Sequence, residues 1–139
     1  MGIFDNVLKE GESLFLDEIA LDYDYIPKLI KFRESQQHYI ADCIKPLFNN
    51  RNGKNLFICG SPGIGKSLVV KHVLRDLKNE TDAIIPIYIN WWKKDTSFKI
   101  INEICEQLNY KWVQGKRTDE LMEVITNMLN KKAVVFVLD

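Results

Sequence analysis

Gly60-Ser61-Pro62-Gly63-Ile64-Gly65-Lys66-Ser67 reads G-x-x-x-x-G-K-S, the spacing of a loop that cradles phosphate. It follows the apolar run Leu56-Phe57-Ile58-Cys59 and opens a helical pattern from Leu68 to Lys78. Strand, loop and helix in that order are the context the motif requires. Glycines admit backbone conformations closed to other residues, so successive N–H groups can face one anion. The helix N-terminus adds donors and partial positive charge. Lys66 supplies a full charge for the β- and γ-phosphates, and the Ser67 hydroxyl is placed to ligate Mg²⁺. The candidate nucleotide-binding set is therefore Gly60, Ser61, Pro62, Gly63, Ile64, Gly65, Lys66, Ser67 and Leu68.

The second half of such a site is an acid at the end of a hydrophobic strand, which shares the Mg²⁺ with the loop hydroxyl. Ala133-Val134-Val135-Phe136-Val137-Leu138-Asp139 has that form and reads as a strand buried on both faces. Ser67 and Asp139 are the candidate metal ligands. A water-activating Glu commonly follows this Asp, and no residue follows Asp139 here. The catalytic set is incomplete, and the expectation is a chain that binds ATP or ADP with Mg²⁺ but turns ATP over negligibly.

Between these two stretches the periodicities alternate. Tyr39, Ile40, Cys43, Ile44, Leu47 and Phe48 form one helical stripe, with Pro46 set to kink or end it. Val69, Val70, Val73, Leu74 and Leu77 form the stripe of the helix after the loop. Ile84-Ile85-Pro86-Ile87-Tyr88-Ile89 reads as a strand, and Pro86 argues that it starts there or lies at a sheet edge. Asp95-Thr96-Ser97 offers N-caps to a helix carrying Phe98, Ile101, Ile104, Cys105 and Leu108. Thr118 reads as the cap of a last helix, with Leu121, Met122, Ile125, Met128 and Leu129 apolar. The order strand–helix–strand–helix–helix–strand implies an α/β fold with a mostly parallel sheet. Upstream, Phe4, Val7, Leu8, Leu14, Phe15 and Leu16 suit an arm that packs on the domain. Residues 21–26 alternate apolar and acidic, as a short extended segment would.

Composition narrows the class. Lys+Arg and Asp+Glu balance at 19 each, so overall charge gives no argument for nucleic acid or membrane. Hydrophobic content of 46% with 27% charged residues is ordinary for a soluble domain. Cys43, Cys59 and Cys105 are scattered, and His38 and His72 have no cysteine or second histidine nearby. The three cysteines read as small buried hydrophobes in a reducing cytoplasm rather than a metal or disulfide framework. No apolar run approaches the ~18 residues of a membrane span. The N-terminus lacks a basic region for a signal peptide, and Asn6 stands where myristoylation needs Ser or Thr.

The wording Gly-x-Pro-Gly-x-Gly-Lys-Ser is typical of AAA+ ATPases. Asp22-Tyr23-Asp24-Tyr25-Ile26-Pro27, Phe32-Arg33-Glu34-Ser35-Gln36 and Ile44-Lys45-Pro46-Leu47 resemble the lead-in of the archaeal replication initiators of the origin-recognition and cell-division-control type. Tyr88-Ile89-Asn90 and residues 115–121 are similar to that family as well. Two positions depart from it. Ile64 stands where Thr is common, and Trp91-Trp92 replace smaller residues.

The resemblance implies a three-layer αβα P-loop NTPase core, here incomplete, over residues 33–139. Residues 1–32 would form the arm and lead-in. The fourth and fifth strands, the helical lid and the winged helix would lie outside the sequence. It implies ATP-dependent binding of origin DNA and help in loading the replicative helicase. Ile26, Pro27, Phe32 and Arg33 would border the adenine. The family's sheet order puts its fourth strand between the loop strand and the Asp139 strand. The expectation is an open slot beside residues 56–59, or a shift of the Asp139 strand to fill it. For DNA, the sequence offers Lys93, Lys94, Lys111, Trp112, Lys116 and Arg117, against a solvated loop as the favoured reading. Core or interface packing is the favoured reading of Trp91-Trp92. The alternative class is a signalling or transposition-helper ATPase, and a small-molecule kinase is disfavoured by the Pro62 wording.

Overall fold

The computed structural model describes residues 19–22 and 24–139. The proposed helical face at Phe4, Val7 and Leu8, the run Leu14 to Leu16 and Tyr23 lie outside the described residues. A 3₁₀ turn, Ile19–Leu21, leads in. It is followed by helix α1 (Glu34–Ile44), a second 3₁₀ turn (Lys45–Asn49), helix α2 (Lys66–Glu80), strand β1 (Ile84–Ile89), helix α3 (Ser97–Gln107), helix α4 (Thr118–Leu129) and strand β2 (Ala133–Leu138).

Local chemistry sets the ends of these elements. α1 gives way to the 3₁₀ turn where Pro46 removes an N–H, and left-handed Asn50 (φ 52°) stops that turn. α2 begins immediately after Gly65, which sits at φ 87°. Thr96 caps α3 by accepting from the Lys99 N–H at 3.3 Å. The cap expected at Thr118 is not formed. Thr118 is the first residue inside α4, Arg117 precedes it without a side-chain cap, and Asp119 and Glu120 face the positive helix end instead. The segment expected to be extended at 21–26 turns at its described residues instead, because Asp22 accepts from the Asp24 N–H through its side chain and from the Tyr25 N–H through its carbonyl, each at 3.1 Å.

Among the described residues the sheet is the parallel pair β1–β2, with Ile84 opposite Ala133 and Ile89 opposite Leu138. Side chains alternate across it and separate two cores. Ile84, Tyr88, Val135 and Val137 face α1 and α2, among Ile40, Ile44, Val70, Val73 and Leu77. Ile87 and Ile89 face α3 and α4, with Ile101, Ile104, Cys105, Leu121 and Ile125. Helices on both faces of a parallel sheet make the three αβα layers, and the fold is α/β with an incomplete sheet.

Pro86 lies inside β1 rather than at its start. The N–H of Trp91 donates to the Asp139 carbonyl at 2.7 Å, and the Asp139 N–H to Ile89 at 3.0 Å. Odd-numbered positions of β1 thus face β2, and residues 86 and 88 face the outer edge. The missing Pro86 N–H falls where no ladder bond is needed. At Tyr88 that edge is closed by a side chain. Gln107 accepts from the Tyr88 N–H at 3.0 Å and donates to the Tyr88 carbonyl at 2.7 Å.

The expected strand at 56–59 is not a ladder strand here. No described strand pairs with it, and a cavity of about 390 Å³ lies between Leu56, Phe57 and Ile58 on one side and residues 134–139 on the other. Phe57 is accordingly 89% exposed, and Cys59 is exposed rather than buried, unlike Cys43 and Cys105. β2 is likewise not buried on both faces. α3 and α4 cover Val134 but leave Phe136 and Leu138 exposed.

Candidate nucleotide-binding site

Gly60, Gly63 and Gly65 hold φ values of 156°, 78° and 87°. A Cβ on Gly63 or Gly65 would meet nothing within 4 Å, so those two glycines are required by backbone conformation and the loop encloses open space. At Gly60 an added Cβ would stand 2.7 Å from Ile64 Cδ1. Lys66 Nζ curls over this space and donates to the carbonyls of Gly60 at 3.0 Å and Ser61 at 2.9 Å. A charged donor held by two neutral carbonyls is poised to exchange them for an anion, which binds it more strongly.

Ser67, in the first turn of α2, and Asp139, just past the end of β2, line the same cavity. Tyr88 Oη donates to Asp139 Oδ2. Burial alone would raise the Asp139 pKa. The hydrogen bonds from Ser67 and Tyr88, with the charges of Lys71 and Lys66, outweigh it and hold the carboxyl below its ordinary value. An ionised carboxylate beside a hydroxyl is a hard-oxygen donor pair of the kind Mg²⁺ prefers. The donor set, the open glycine loop and the lysine fit a nucleotide phosphate with its magnesium.

The lead-in residues divide. Arg33 Nη2 donates to the Ile64 carbonyl at 3.2 Å, and Arg33 joins Tyr39, Phe57, Cys59, Ile64 and Lys66 around a cavity of about 450 Å³. Ile26 is tied elsewhere, its carbonyl accepting from Arg75 Nη1 of α2 at 3.0 Å, and Pro27 is half-buried beside it. Phe32 is 87% exposed at φ 63°. The lead-in is further strapped to α2 by the pair Lys71–Asp24 at 3.2 Å and by His72 Nε2 against the Lys28 carbonyl at 3.2 Å.

Sequence reasoning did not single out Tyr88, Lys71, Arg75 or Gln107 as parts of this region. For Tyr88 a signal existed. Period-two alternation puts it on the Ile84 face, toward α2, one residue before the end of β1, near the sheet end where the acid lies. Nothing in the sequence marks Gln107 as an edge cap.

The basic and aromatic residues offered for DNA, with a solvated loop as the favoured reading, are paired or exposed. Lys94 bonds Glu103 at 2.9 Å, Arg117 bonds Asp119 at 3.2 Å, and Lys116 donates to the Tyr110 hydroxyl. Trp91 and Trp112 are exposed and Trp92 is 93% exposed. Trp91 and Trp92 are therefore not core residues in this fold. They ride on a turn in which Asn90 Oδ1 accepts from the N–H groups of Trp92 at 3.0 Å and Lys93 at 3.3 Å. No described helix is long and apolar enough to cross a membrane.

Comparison with known proteins agrees with this site. The AAA domain family matches residues 49–139, which carry the loop, both strands and Asp139. An ORC1-type DNA replication protein 1 of Sulfurisphaera tokodaii is 32% identical over 99% of this chain and 36% of its own length. An ORC1-type DNA replication protein 2 of Methanothermobacter thermautotrophicus is 31% identical over 74% of this chain and 27% of its own. The structure of the Aeropyrum pernix ORC1 protein in complex with DNA superposes with a TM-score of 0.69 at 25% identity, covering 86% of this chain and 33% of that one. The chain thus spans about a third of the length of such relatives. With its glycine loop, its Ser67 and Asp139 on one cavity and these likenesses, the chain belongs to the AAA domain family of P-loop ATPases, on the branch of the archaeal ORC1-type replication proteins.

Proposed function

We propose that this chain is the ATP-binding part of a DNA replication initiator, a cytoplasmic protein that binds origin DNA and helps load the replicative helicase. The observation that carries the nucleotide reading is the meeting of Ser67 and Asp139 beside an open glycine loop. Gly60 to Leu68 would wrap the phosphates of ATP or ADP. Mg²⁺, when bound, would neutralise phosphate charge, with Ser67 and Asp139 as its protein ligands. Ile26, Pro27, Phe32 and Arg33 would border the adenine, and Arg33 is bonded to the loop through the Ile64 carbonyl. Residues 1–32 would act as arm and lead-in, and residues 33–139 as the ATPase core. We further propose that the 139-residue polypeptide by itself turns ATP over well below about 1 s⁻¹.

The likeness to ORC1-type proteins, one of them solved with DNA, supports the initiator reading. The test has two arms. ATP binding is measured by calorimetry with Mg²⁺ for the wild type and for Lys66→Ala, and origin-region DNA binding is measured against salt. Loss of ATP binding in Lys66→Ala and DNA affinity that falls steeply with salt support the reading. Wild-type protein that ignores ATP overturns it.

A further inference from the structure

Tyr88 is fixed from three sides. Both of its outward backbone groups are taken by Gln107, at 3.0 and 2.7 Å. Its ring packs against the core formed by α1 and α2. Lys71 Nζ stands 5.2 Å from the ring centroid and 3.2 Å from Asp24 Oδ1, so the cation that covers the ring is itself held by the lead-in. The one polar atom of this side chain, its hydroxyl, ends on Asp139 Oδ2. A phenol so constrained can serve only a narrow range of carboxylate orientations.

We infer that Tyr88 is a positioning residue of the nucleotide site: its hydroxyl holds the Asp139 carboxylate in the orientation that receives a divalent cation, without contacting nucleotide itself. The inference rests on the reading of Ser67 and Asp139 as the magnesium ligands. Without the hydroxyl, the carboxylate loses its bond from Tyr88 and is free to turn about its terminal torsion, which is broad and roughly two-fold. A bound cation must then restrict that rotation itself.

The experiment compares wild type with Tyr88→Phe in the full chain, because phenylalanine keeps the ring for Lys71 and the core. ATP affinity is measured by calorimetry in Mg²⁺ and again in EDTA. Mn²⁺ binding is followed by electron paramagnetic resonance, and thermal melting is recorded without ligand. Residues that orient metal ligands typically change metal affinity 10–100-fold. The expected result is a loss of about 10-fold in the Mg²⁺-dependent gain in ATP affinity and in Mn²⁺ affinity, with affinity in EDTA unchanged. In an Asp139→Ala background the Tyr88→Phe change should add no further loss. Asp139→Asn serves the same purpose should the alanine variant not fold. An undiminished Mg²⁺-dependent gain in Tyr88→Phe overturns the inference. So does an equal loss with and without Mg²⁺, or an undiminished effect in the Asp139 variants. A wild type whose ATP affinity does not depend on Mg²⁺ overturns the metal reading of Ser67 and Asp139 on which the inference stands.

Discussion

Replacing Gln107 with alanine strips the outer edge of β1 of the two bonds that close it at Tyr88, one accepted at 3.0 Å and one donated at 2.7 Å. Each buried group left without a partner costs about 1–3 kcal/mol. The site is only partly buried, so water recovers some of this loss, and the expected destabilisation is about 2 kcal/mol in total. The assay is urea unfolding, reading the shift in midpoint at unchanged slope. Gln107→Glu sharpens the test. Its carboxylate could still accept from the Tyr88 N–H but could not donate to the Tyr88 carbonyl. It would also lose the bond from Gln107 Nε2 to Glu103 Oε1 at 2.8 Å and set two carboxylates together. At pH 7 it should be at least as damaging as alanine. A loss below about 0.5 kcal/mol for alanine, the scatter of ordinary surface substitutions, would refute the claim that this side chain completes the sheet edge. A Gln107→Glu protein as stable as wild type would refute the assigned donor direction.

Three further outcomes follow from the same geometry. Gly65→Ala should destabilise by about 1–2 kcal/mol, the cost of left-handed backbone for an L-residue, since φ is 87° and no atom obstructs the new methyl; unfolding in urea measures it. Arg75→Ala should release the Ile26 carbonyl, at a cost of about 1 kcal/mol for a partly exposed hydrogen bond, and hydrogen exchange should quicken at residues 24–30. Burial pushes the Glu103 carboxyl up, but hydrogen bonds from Lys94 and Gln107 and the charges of Lys94 and Lys93 outweigh it and bring it below its ordinary value. A depressed folded pKa gives stability that is full above the unfolded value, ~4.3, and is lost as pH falls through the folded one. Glu103→Gln should therefore flatten the acid side of the stability–pH curve, measured by denaturation between about pH 3 and pH 6.

What could be read from the residues was whatever has a local cause. The helix after Gly65, the stop at Pro46, the cap at Thr96 and the buried stripes of α2 and α3 all follow from short-range chemistry, and the structure shows them. The glycine loop was legible because its spacing is itself the mechanism. The strand at 56–59 was not realised because a strand is completed by its neighbour, and no described strand lies against it. Likewise Phe136 and Leu138 are apolar enough for a two-sided core, yet α3 and α4 reach only as far as Val134. Trp91 and Trp92 read as core or interface packing, and the Asn90 turn carries them outward, away from the core. Tyr88 and Gln107 matter through contacts across 51 and 19 positions of sequence, which periodicity does not encode.

Gly60 to Ser67 and Asp139 are proposed to form one magnesium–nucleotide site. The most direct measurement is ATP affinity by calorimetry with Mg²⁺ for wild type, Lys66→Ala and Asp139→Ala. The wild type should bind, Lys66→Ala should show no detectable binding, and Asp139→Ala should lose only the Mg²⁺-dependent part. Equal affinity in all three proteins would contradict it.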